Sequence, residues 1–130
     1  MTRFLIIIFI ICLVLIWFNC FGECGEIPDN SAIRAIIGEA SNQGYRGMLH
    51  ITVGIRNRGH LRGVYGLNAK HVDKEPAWVW ALARKAWAES EYNRFHNADH
   101  WESTDFKIPK WSKGMIEVCK YKKHIFYWKD

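Results

Sequence analysis

Residues Phe4 to Phe18 run without a charge or a polar face, directly behind the short positive flank Met1-Thr2-Arg3. A basic lead followed by an apolar run is the layout of an export signal, and extension through Asn19 to Gly22 brings it toward the length of a membrane anchor. Residues 1–22 are therefore expected to be a cleaved signal peptide or a retained signal anchor. Both send the rest of the chain across a membrane. Residues 23–30 are polar, contain Gly25 and Pro28, and read as a linker.

The rhythm then becomes helical. Ile33, Ile36, Ile37 and Ala40 recur at helical spacing behind Asp29 or Asn30 as cap, and Gly44 closes the segment. A second helix is predicted from about Tyr45 to Arg58, where Met48, Leu49, Ile51, Val53 and Ile55 cover a broad face and Gly59 supplies the stop. Between Gly59 and Glu75 no period is sustained, which predicts loop with at most a short helical turn. Pro76 suits the first turn of a third helix reaching about Glu91, with Trp78, Val79, Leu82, Ala83, Ala86 and Trp87 as its inward stripe. Asn93 to Lys110 is polar and aromatic with no clear period, as a binding loop would be. A further helix is expected from Trp111 to about Cys119, and alternation in His124 to Trp128 predicts a terminal strand. The fold class is thus mainly α, in the α+β sense, with a minor extended element, as one domain over residues 31–130.

A chain of 130 residues supports one core and not two. Lys and Arg total 18 against 13 Asp and Glu, a formal charge of +5 scattered along the chain. That favours an anionic polymer as partner. No zinc-finger, helix-turn-helix or basic heptad pattern supports nucleic acid; an anionic cell wall suits the charge as well. If the leader is cut after Gly22, Cys24 and Cys119 remain, a pair able to bridge the two ends of an exported domain or to stay as buried thiols. Retention would add Cys12 and Cys20.

Cleavage of a glycosidic bond needs a carboxylic acid that is protonated when the sugar oxygen departs, and partial burial favours such a state. Glu39 lies at the edge of the apolar stripe of the first predicted helix, between Gly38 and Ala40, whose small side chains leave room for a bulky polymer. Downstream, His100-Trp101-Glu102-Ser103 offers polar and aromatic groups on a loop. Trp101 is the best candidate to lie against a sugar ring, with Tyr45 beside it, because a flat apolar ring face needs a flat apolar partner. Trp111 is a third such candidate, but as the start of a predicted helix it is expected rather in the core. Asn57 and Arg58, ending a buried helix, are expected to bond carbonyls or a neighbouring loop, and His124 to be structural.

Ile36-Ile37-Gly38-Glu39-Ala40, Ile55-Arg56-Asn57-Arg58, Ala83-Arg84-Lys85-Ala86-Trp87, His100-Trp101-Glu102, and Pro109-Lys110-Trp111 with His124-Ile125-Phe126-Tyr127 follow one another in an order that resembles the SleB/CwlJ family of cell-wall hydrolases, the spore-cortex-lytic type that also occurs in phage and prophage lytic proteins. The resemblance spans residues 31–128. It implies a lysozyme-like or lytic-transglycosylase-like domain in which Glu39 is the catalytic acid and base, acting on peptidoglycan without cofactor or metal. His100, Trp101, Ser103 and Tyr45 are the candidates to contact substrate, and Glu102 is either a second catalytic carboxylate or, the preferred reading, a residue that orients His100 or holds the loop. The chain departs from the family at Asn97-Ala98-Asp99, where Gly-Ala-Thr is common, and at Lys122-Lys123, where small residues are common.

Three rivals compete with a glycan-cleaving enzyme. His96 and His100, four apart, could be two ligands of a zinc amidase, although no His-Glu-x-x-His occurs. A wall-binding or virion structural protein could share the fold. A cysteine peptidase would need a histidine placed beside Cys24 or Cys119.

Overall fold

Pro28 fixes the entry to the first helix: it is the N-cap, at φ −60° and ψ 130°, and Asp29 is the first helical residue. The Asp29 carboxylate, expected as a cap, instead accepts a bond of 2.6 Å from the Trp87 indole N–H. The computed structural model describes residues 26–130. The expected signal or anchor and the Cys24 pairing lie outside them; among the described residues no helix is long and apolar enough to cross a membrane.

Helix α1 spans Asp29–Ala40 and α2 Gly44–Arg58. Gly59 ends α2 at φ 77°, its N–H closing on the Ile55 carbonyl at 2.9 Å, a left-handed stop that glycine adopts without steric penalty. α2 is the most buried helix, with Met48, Ile51, Val53 and Ile55 wholly inaccessible. α3 spans Ala77–Glu89 behind Pro76. Its inward stripe is Val79, Ala83, Ala86 and Trp87, whereas Trp78 is 63% exposed, because it falls to the side of that stripe. The segment between α2 and α3 holds two short 3-10 turns, Tyr65–Asn68 and Val72–Lys74.

The last third departs most from expectation. The polar stretch after Asn93 contains a strand, β1, His100–Ser103. The helix expected from Trp111 to Cys119 is instead a 3-10 turn, Lys110–Ser112, followed by strand β2, Ile116–Tyr121. Gly114 at φ 90° separates the two, and β-branched Ile116 and Val118 favour the extended form. β3, His124–Trp128, is the strand expected at the terminus. The sheet is antiparallel in the order β1-β3-β2, with Trp101 opposite Phe126, and an irregularity between Glu117 and Cys119 interrupts the β2 register. The whole is mixed α+β: Phe126 of central β3, 1% exposed, joins the core built by the three helices.

Candidate active site

Two glycines decide where Glu39 sits. A β-carbon on Gly38 would lie 1.9 Å from the Gly66 carbonyl oxygen, and one on Gly66 would lie 2.7 Å from the Glu39 backbone nitrogen. α1 and the turn Tyr65–Asn68 therefore meet backbone to backbone, an approach that requires glycine on both sides. The space beside Gly38, expected to admit a polymer, is filled by Gly66. That contact carries the Gly66 N–H to Glu39 Oε1 at 2.7 Å. Trp101 Nε1–H donates to Glu39 Oε2 at 3.2 Å. Each carboxyl oxygen holds one donor and keeps further lone-pair capacity for a proton or a substrate hydroxyl.

Trp101 is itself held on α2. Its ring packs on Gly54, where an added β-carbon would lie 3.0 Å from Cε3 and Cζ3, and the Arg58 guanidinium lies over it at 5.4 Å from the centroid. Asn57, as expected, bonds carbonyls: its Nδ2 donates to His96 O at 2.8 Å and Ala98 O at 2.9 Å, fixing the chain just before β1. A helix, a 3-10 turn and a strand thus converge on one carboxylate.

Around Glu39 opens a cleft of about 590 Å³ bordered by Arg58, Trp111 and all four residues of β1. A second lobe of about 290 Å³, bordered by Asn42, Asp105 and Lys123, adjoins it. Glu39, Tyr65, Ser103, Phe106 and His124 border both lobes. Tyr65 is 88% exposed and Phe106 71%, so both ring faces are open to a ligand in the cleft. Trp111, expected in the core, stands on the cleft wall at 42% exposure against the His100 and Tyr127 rings.

Of the residues expected at the site, Glu39, His100, Trp101, Glu102 and Ser103 come together. Tyr45 does not: its hydroxyl bonds Glu89 on α3, its ring faces the Lys85 ammonium at 4.9 Å, and burial, with the Glu89 carboxylate behind it, pushes the phenol up to about 12. Among the described residues, Glu102 Oε1 accepts only the adjacent Ser103 N–H, at 3.2 Å. Asp99 Oδ1 pairs with His100 Nδ1 at 2.8 Å. His124 is buried, with Nδ1 against Gln43 Nε2 at 2.7 Å; burial pushes its imidazole below the usual range, opposed by the Glu39 and Asp105 charges.

Geometry also weighs on the rivals. His96 Nε2 meets the His50 carbonyl at 2.9 Å and Nδ1 takes the Ala98 N–H at 3.1 Å, which leaves neither nitrogen for a metal. Among the described residues no cluster of three or more ligand side chains is present. Cys119 lies on β2 rather than in a helix, and burial, assisted by Glu117, pushes its thiol up, away from the reactive thiolate. Sequence reasoning missed Tyr65, Gly66, Phe106 and the cleft placement of Arg58. The glycine-rich stretch around Tyr65 was the available signal. No protein-family model matches the chain, and comparison with curated proteins and with solved structures gives no match.

Proposed function

We propose that the protein is a peptidoglycan-degrading enzyme that cleaves the bond between N-acetylmuramic acid and N-acetylglucosamine, with Glu39 as acid and then base. On this reading the domain is lysozyme-like and acts as a lytic transglycosylase in a phage or prophage setting, exported or anchored by residues 1–22. The observation that carries it is the position of Glu39: a carboxyl seated by two N–H donors at the junction of two lobes, with exposed aromatic rings bordering both. A polymer must extend on both sides of the bond that is cut, and a two-lobed groove accommodates that.

The chemistry balances without water. The Glu39 carboxyl gives its proton to the bridging oxygen as the bond from the muramoyl anomeric carbon breaks, and the departing sugar leaves with a hydroxyl. The carboxylate then removes the proton of the muramoyl 6-hydroxyl, whose oxygen bonds the anomeric carbon and closes a 1,6-anhydro ring. Glu39 ends protonated, as it began. Exposed Tyr65 and Phe106 offer flat faces to the sugar rings.

A second reading, hydrolysis with two carboxylates, is favoured by the presence of Glu102 on the same cleft. Mass spectrometry of products released from purified peptidoglycan by the full chain in mild detergent separates the readings. Anhydro-muropeptides, lost in Glu39→Gln, are expected; reducing ends would move Glu102 forward as the base for water. No products from either protein would sink the enzyme and leave a wall-binding or structural role.

A further inference from the structure

The three partly buried arginines of the described chain are treated differently by the fold. Arg34 is forked onto Asp73, at 2.7 Å and 3.3 Å. Arg56 bonds Ser90 and the Trp87 carbonyl and lies 3.6 Å from Glu91. Arg58, on the wall of the main cleft, has neither a side-chain hydrogen bond nor an ion pair among the described residues, yet burial pushes its guanidinium below the usual range. A partly desolvated guanidinium whose five donors are committed to no described protein group is free to receive an anion from the cleft. The Asp99 and Glu39 carboxylates face it and favour its charge, but neither reaches ion-pair distance, and Asp99 is spent on His100. It lies over the Trp101 ring, and the missing side chain of Gly63, where a β-carbon would come 3.2 Å from Nη2, leaves the fork room there.

We propose that Arg58 is the receptor for a carboxylate carried by the glycan, which makes the cleft selective for acidic over neutral sugar polymers. This rests on the glycan-cleaving reading above and deepens it. The planar fork of a guanidinium matches a carboxylate with two parallel bonds, and Trp101 beneath it keeps that plane beside the sugar whose bridging oxygen Glu39 protonates. Peptidoglycan presents such a group in two ways: as the lactyl carboxylate of muramic acid where the strand carries no peptide, and as the free carboxylates of the peptides where it does.

The test is a fluorescence titration of the full chain carrying Glu39→Gln, which blocks turnover, with three probes: a peptide-free muramic-acid tetrasaccharide, its peptide-bearing counterpart, and neutral chitotetraose. At least one acidic probe is expected to bind roughly tenfold or more tighter than chitotetraose. Adding Arg58→Gln should abolish that gap and leave chitotetraose within about twofold, while Arg58→Lys should keep part of the gap, lacking the fork but not the charge. A gap confined to the peptide-free probe assigns the lactyl group, and one confined to the peptide-bearing probe assigns the peptide; each supports the proposal. Equal binding of acidic and neutral probes would overturn it while leaving a glycan groove intact. So would an Arg58→Gln that weakens all three alike, since that is the mark of a prop for Trp101. Binding of none of the three would overturn both readings together.

Discussion

The place of Glu39 on the cleft was legible from its position at the edge of a helical stripe, although a carboxylate there is more often a solvated surface group, and it was the resemblance that singled it out. What Gly38 does was not legible, since the atom occupying its empty side belongs to Gly66, far along the chain and in a stretch with no period. Gly66→Ala is expected to lower stability by about 3 kcal/mol, because its β-carbon meets backbone that cannot yield, as a urea midpoint would show. The same change should displace the N–H from Glu39 and reduce any activity. Trp101→Phe deletes the indole donor together with the Cε3 and Cζ3 atoms that pack on Gly54; on the proposed function the wall-lysis rate should fall about tenfold, with a stability loss of about 1 to 2 kcal/mol. If the rate holds, the Trp101 bond does not orient the acid.

At the scale of elements, the three helices among the described residues were legible nearly to their ends because each has a chemical boundary: Pro76 before α3, Gly44 and Gly59 at turns of positive φ, and for α1 the polar Asp29-Asn30 pair, although the cap itself is Pro28, which was read as linker. Strands of the last third were not, apart from β3. β2 conceals its alternation behind a register irregularity, and β1 is a four-residue edge whose pairing with β3 is a backbone matter that side chains do not announce. Trp111 was misread for the same reason: placed at the start of a helix it belongs in the core, but at a 3-10 turn before a sheet edge it reaches the cleft. β3 is the strand on which both layers depend. Phe126→Ala is expected to cost about 3 to 5 kcal/mol in chemical denaturation, against less than about 0.5 kcal/mol for exposed Trp78→Ala. Comparable losses would mean that the sheet does not share the helical core.

Taken whole, the molecule carries its ionisable burden unevenly. His50, His96 and His124 are each pushed below the usual histidine pKa of 6.5, in every case chiefly by burial. A group whose folded pKa is depressed resists the proton that the unfolded chain accepts, so the stability it contributes is complete above about pH 6.5 and drains away as the pH falls below it. The thermal midpoint is therefore expected to drop by roughly several degrees between pH 7.5 and pH 5.5. A midpoint flat across that window would show that these rings titrate as they do in the open chain.

The strand order has a consequence in time. β2 and β3 are joined across Lys122 and Lys123 alone, whereas β1 reaches β3 only after residues 104–123 have looped back. Closing the longer loop costs more entropy, so the hairpin assembles ahead of the edge strand that bears Trp101. The cleft wall is thus the last part of the sheet to arrive and the first to leave. Amide hydrogens of β1 should exchange sooner than those of β2 facing β3, and equal exchange of the two strands would show that the edge strand opens only with the whole sheet.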